Sequence, residues 1–97
     1  KLKMSSFKHT NPIYRIEADK LAKGLLENSI EFYYYDCWDG VQIVCDGWDA
    51  ICHSGSYGHE QGLLEIMGTI VRVDDDDDDV EGWLTADEIL QRLNLTG

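Results

Sequence analysis

Apolar positions recur with a helical period near both ends of the chain and alternate in the region between. Tyr14, Ala18, Leu21, Ala22, Leu25 and Leu26 fall on one stripe, which predicts an amphipathic helix. Asn11-Pro12 sits just ahead of it, an N-cap side chain followed by proline at the first helical position. Lys20, Lys23 and Glu27 lie off the stripe, and Asn28-Ser29 is the expected stop. Gly24 weakens such a helix by about 1 kcal/mol relative to Ala.

From Ile30 to Trp38 the period changes to two. Ile30, Phe32 and Tyr34 alternate with Glu31, Tyr33 and Tyr35, in residue types that favour strands. Asp39-Gly40 then offers the positive φ of a tight hairpin turn, and Val41–Cys45 reads as the returning strand. Asp46-Gly47 is a second turn or bulge, Asp49–His53 a third strand, and Ser54–Gly58 a loop by composition. Leu63–Val73 fits a strand through its β-branched end, although Leu63, Leu64 and Met67 could share one helix turn. A closing helix is signposted by Thr85 and Glu88 as a capping box, with Leu84 placed to staple to Ile89. Ala86, Ile89, Leu90 and Leu93 form its apolar face, and Asp87 and Glu88 suit the helix dipole. The order implies an α+β domain: a small antiparallel sheet of three or four strands, with an N-terminal and a C-terminal helix packed on one face.

Ninety-seven residues suit a single domain spanning 1–97, with 1–10 expected to be flexible and 74–80 an acidic loop. No apolar run approaches the length of about 20 residues that spans a bilayer. The first seven residues carry charge but no apolar stretch of the kind a signal peptide needs, and Met4 is the expected native start. Cys37, Cys45 and Cys52 cannot all pair within one chain, so reduced thiols in a cytosol are expected.

Charge changes the picture most. Nineteen acids against eight bases give −11, and the imbalance is localised. Residues 1–23 hold six bases and two acids, whereas residues 24–97 hold only Arg72 and Arg92 against seventeen acids. Direct nucleic-acid binding through such a body is disfavoured, because phosphate affinity comes from Lys and Arg. A basic protein is the expected partner, with a nucleic-acid enzyme as one such candidate, and no membrane is expected to take part.

Motifs for chemistry are sparse. Cys45, Cys52, His53 and His59 offer zinc-type ligands, but without the C-x2-C pair of a structural site. Adjacent Cys52 and His53 would point to opposite faces of a strand, so Cys52, His53 and His59 are poor candidates for a metal site. A nucleophilic thiol needs electropositive surroundings, which this acidic segment lacks. The aspartate run Asp74, Asp75, Asp76, Asp77, Asp78 and Asp79 fails the EF-hand pattern, because Asp79 occupies the sixth position and Thr85 the twelfth. Ser54–Gly58 lacks the lysine of a phosphate loop. No catalytic residue and no cofactor are therefore expected. The candidate partner-binding residues are Asp36, Asp39, Asp46, Asp49, Glu60, the run Asp74–Asp79 and Glu81, with Trp38, Trp48 and Tyr57 from an aromatic set that also holds Tyr33, Tyr35 and Trp83.

The stretches Tyr57–Gly68 and Glu81–Leu90 resemble small acidic accessory proteins of phages and prophages of Gram-positive bacteria. That resemblance covers the C-terminal half and implies an accessory protein. Such sets include anti-CRISPR and anti-restriction inhibitors, several of which are acidic and imitate DNA. The leading expectation is a noncatalytic acidic protein-binding module, a phage-type inhibitor of a basic nucleic-acid-binding host protein. The alternatives are a structural or regulatory accessory protein that self-associates, as a homodimer for example, and a small metal-binding protein.

Overall fold

In the computed structural model, which describes residues 3–4, 10–71 and 80–94, the Asn11 side chain accepts a hydrogen bond from the Ile13 N–H. This cap opens a 3-10 turn, Pro12–Arg15, that runs on into helix α1, Ile16–Glu27. The predicted stripe is buried at Tyr14, Ala18, Leu21, Ala22 and Leu25. Leu26 is 53% exposed. It lies about 100° around the helix from Leu25, beyond the reach of the core. Asn28 ends the helix by donating from Nδ2 to the Gly24 carbonyl at 2.8 Å.

The chain is α+β, and five antiparallel strands stand side by side in sequence order. They are β2 (Tyr33–Cys37), β3 (Gly40–Cys45), β4 (Trp48–Cys52), β5 (Leu64–Gly68) and β6 (Val80–Leu84). A two-residue strand, β1 (Lys3–Met4), pairs in parallel with β2 at the edge. The sheet is thus larger than the three or four strands expected. Strand β6 is short, contains Gly82 and directly follows the aspartate run, so no alternating pattern marks it. It gains its place by pairing Leu84 with Leu64 and Val80 with Met67, across an irregular register. Within Leu63–Val73 the strand occupies Leu64–Gly68, and a turn follows at Thr69–Ile70.

Both tight turns fall where glycine and aspartate signalled them, but the first is one residue early. Cys37 pairs with Gly40, so Trp38-Asp39 forms the loop, and Trp38 rather than glycine takes the positive φ of 55°. Gly40 is needed for closeness instead. A Cβ there would stand 1.8 Å from the Cys52 carbonyl oxygen on β4.

Cross-strand register sorts the side chains into two faces. Tyr34, Ile43, Ala50 and Ile66 share a row and are all buried. The next positions, Tyr33, Val44, Asp49 and Met67, share a row on the opposite face and are exposed or half-buried. Helix α1 covers the inner face across β3 and β4. Helix α2 (Ala86–Arg92) was expected on the sheet beside it, but it packs mainly against α1. It is short and starts immediately after β6, and its Ala86 N–H donates to Glu17 Oε1 of α1 at 2.8 Å. Gly24 has a reason for its place, because a Cβ there would meet Leu90 Cδ1 at 2.5 Å. The close approach of α2 offsets the helix propensity lost to glycine. The Thr85–Glu88 capping box forms in both directions.

Replacing Gly40 with alanine should destabilise the domain by about 3 kcal/mol or prevent folding, because the obstacle is backbone and cannot rotate away. Urea denaturation of G40A checks this, and a midpoint unchanged from wild type would contradict the packing of β3 on β4.

Candidate functional site

The candidate carboxylates occupy both ends of the sheet and the middle of its open face. Asp36, on β2, accepts a hydrogen bond from Thr10 Oγ1 at 2.9 Å. Asp39 in the first turn accepts from the Ser54 N–H at 3.0 Å, tying the β2–β3 turn to the loop after β4. That N–H holds the Asp39 carboxyl below the usual carboxylate range. Asp46 is exposed in the β3–β4 turn, where Gly47 supplies a φ of 87°. It stands at the end of the sheet where β5 stops at Gly68 and β6 begins at Val80. Asp49 lies half-buried on the open face and accepts from Gln42 Nε2 at 3.0 Å. Glu60 is exposed on a 3-10 turn, His59–Gln61. Asp74–Asp79 lie outside the described residues.

Glu81 differs from the rest. Both of its carboxylate oxygens accept from the Arg92 guanidinium, one at 2.7 Å, in a pair that is largely buried. Arg92 also donates to the Ile70 carbonyl at 3.1 Å. Glu81 therefore ties β6 and α2 to the chain after β5, and it is not an open surface carboxylate.

Among the aromatic candidates, Trp38 and Tyr57 are 80% and 50% exposed. Trp38 lies over the His53 ring with centroids 4.7 Å apart. Tyr57 stacks on Trp83 at 5.1 Å, and Trp83 is itself 58% exposed at a φ of 57°. Trp48 does not belong with them. It is only 7% exposed, because strand alternation opposite Asp49 turns it inward. Tyr33 and Tyr35 are exposed on the open face, flanking buried Tyr34. The period-two pattern of this Tyr-Tyr-Tyr run carries the signal for both. Trp83 belongs to the same aromatic set in the sequence, but no alternation marked its face, because its strand was not anticipated.

The loop after β4 is built by its polar residues. Ser56 Oγ accepts from the His53 N–H and donates to the His53 carbonyl, while His53 Nδ1 accepts from the Gly55 N–H at 3.0 Å. Glu65 of β5 is buried and accepts from the Tyr57 N–H at 2.8 Å. These bonds set the Tyr57 backbone beside β6.

The metal candidates are not brought together. Cys52 is fully buried in the core, His53 faces the other way under Trp38, and His59 Nδ1 is 3.2 Å from the Tyr14 hydroxyl. Among the described residues no group of three or more His, Cys, Asp or Glu is placed to hold a metal ion. All three cysteines are free thiols. Burial, with Asp49 adding, pushes Cys45 up to about 12, and burial with Asp39 does the same for Cys52. Cys37 is raised as well, by burial and then by Asp49 and Asp39. No thiolate is favoured at neutral pH. Among the described residues no helix is long and apolar enough to cross a membrane. Comparison with protein-family models, with curated proteins and with solved structures finds no match.

The raised thiols fix a sign for stability. An acid whose pKa is raised by folding contributes no penalty below its unfolded value, and stability is lost as pH climbs between the two. Native protein at pH 8 should react with a disulfide thiol reagent far more slowly than denatured protein. Its urea midpoint should hold to about pH 8.5 and then fall toward pH 12. Rapid labelling of Cys52 in the folded state would contradict this placement.

Proposed function

We propose that the domain is a noncatalytic, acidic protein-binding module that engages a basic protein. One observation carries this reading. Residues 24–71, which supply β2 to β5 and the turns between them, contain eight carboxylates and no lysine or arginine. The same segment exposes Tyr33, Tyr35, Trp38 and Tyr57. The described cations lie outside that segment. Arg15 and Lys20 pair with Asp19 and Glu17 on the α1 side, Lys23 is on the same helix, Arg92 pairs with Glu81, and Lys3 lies on β1 at the edge beside β2.

Rings beside carboxylates suit a partner with a positive potential. Complementary charge speeds encounter and discriminates against acidic partners, while aromatic anchors supply contact area. A nucleic-acid enzyme of a bacterial host fits, since its groove is lined with cations that hold phosphates and would hold carboxylates too. The resemblance to phage accessory proteins supports the same reading, as an inhibitor that occupies such a groove. Three free thiols suit the reducing bacterial cytoplasm.

Immobilised protein should retain basic proteins at about 50 mM salt and release them by about 500 mM, where screening shortens to a few ångströms. A retained nucleic-acid-binding protein should lose DNA binding as the module is added. If no basic protein is held at low salt, the proposal fails.

A further inference from the structure

We infer that the open face of the sheet is the docking surface, and that its occupant is a partner segment bearing arginine or lysine interspersed with apolar side chains. This placement rests on the acidic-module reading above and assigns it one surface and one kind of ligand.

Two rows of side chains cross β2 to β5 on this face. One runs Tyr33, Val44, Asp49, Met67, and the other Tyr35, Gln42, Ile51, Glu65. Tyr33 is 51% exposed and Met67 49%. Val44 and Ile51 are half-buried between them, and no described element covers them. A shallow depression of about 620 Å³ follows, whose lining includes Val44, Ile51 and Met67 together with Gln42, Asp49 and His53. Contiguous apolar surface of this kind, rimmed by polar groups, marks an interaction site.

Charge selects the occupant. Asp49 stands inside the apolar field, oriented by its hydrogen bond from Gln42. Asp46 and Asp39 stand in the turns at opposite ends of the strands. A second copy laid face to face would bring Asp49 carboxylates into a shared, poorly hydrated interface between two chains of charge −11. A nucleic-acid strand would meet the same repulsion. A segment with only apolar side chains would bury Asp49 unpaired. A cation among apolar side chains satisfies every part: its methylenes lie on Val44 and Ile51, its charge meets Asp49, and tyrosine faces accept a guanidinium.

The test is an amide-shift titration of the labelled protein with a synthetic peptide of alternating arginine and valine. Two control peptides carry glutamate for arginine, or serine for valine. Shifts should concentrate on β2 to β5 around Asp49 and leave α1 unmoved. Each control should bind about tenfold or more weakly. The surface variant Y35S/M67S and the isosteric D49N should each weaken binding of the arginine peptide by about fivefold or more, while their α1 signals stay in place. Binding centred on a turn, with both variants binding as wild type, overturns this surface and leaves the acidic module standing. Equal binding of the serine control overturns the apolar part of the ligand. Concentration-dependent dimers closed through this face overturn the occupant. Binding of no cationic peptide at all overturns the surface and the module together.

Discussion

A hydrogen bond from the Tyr34 hydroxyl to Asp19 Oδ1, at 2.6 Å, fastens the inner face of the sheet to α1. Side chains on a strand alternate, so slipping β2 by one residue would exchange its inner and outer sets. Tyrosine occupies positions 33, 34 and 35 alike, so within that run hydrophobicity favours neither arrangement, whereas buried Phe32 and exposed Glu31 just before it favour the one observed. The Tyr34 hydroxyl adds to that preference. Tyr34 is 1% exposed, and on the inner face its hydroxyl meets polar partners on α1, Asp19 and also Arg15; an unsatisfied buried polar group costs about 1–3 kcal/mol. Burial and Asp19 together raise the Tyr34 pKa, so it stays a donor. Arg15, one turn before, holds the same carboxylate from Nε and Nη2 at 3.3 Å.

The layering follows from that choice. With Tyr34 directed at α1, Ile43, Ala50 and Ile66 join it beneath the helix, and Tyr33, Val44, Asp49 and Met67 are left on the other side. Helix α2 adds to the covered side through Gly24 and Glu17 rather than by wrapping the sheet. Charge is also distributed unevenly. Arg15, Lys20 and Lys23 stand among acids in the helical layer, while the segment forming β2 to β5 has carboxylates and no lysine or arginine. An open face with rings, methyl groups and an acid is therefore a by-product of a one-sided core, and it is the face we propose for a cationic partner.

Local signals were legible in the sequence wherever one residue type answers one need. The Asn11 cap, the Thr85–Glu88 box, the alternation around Tyr34 and the Asp46-Gly47 turn all stand where the residues place them. Features set by distant partners were not legible. Strand β6 exists because β5 offers it an edge, and Gly40 is required by the Cys52 carbonyl, which the turn pattern around Asp39 conceals. The same holds for the candidate site. Exposure of Trp38 and burial of Trp48 follow from register, and Glu81 looked like one more surface acid until Arg92 was brought against it.

Nitration of the folded protein with tetranitromethane, mapped by peptide mass spectrometry, reads the two faces residue by residue. Tyr33, Tyr35 and Tyr57, which are 51%, 38% and 50% exposed, should be modified readily. Tyr34 and Tyr14, at 1% and 8%, should be protected until the protein unfolds. Modification of Tyr34 at the rate of its two neighbours, or protection of all three, would contradict the one-sided sheet.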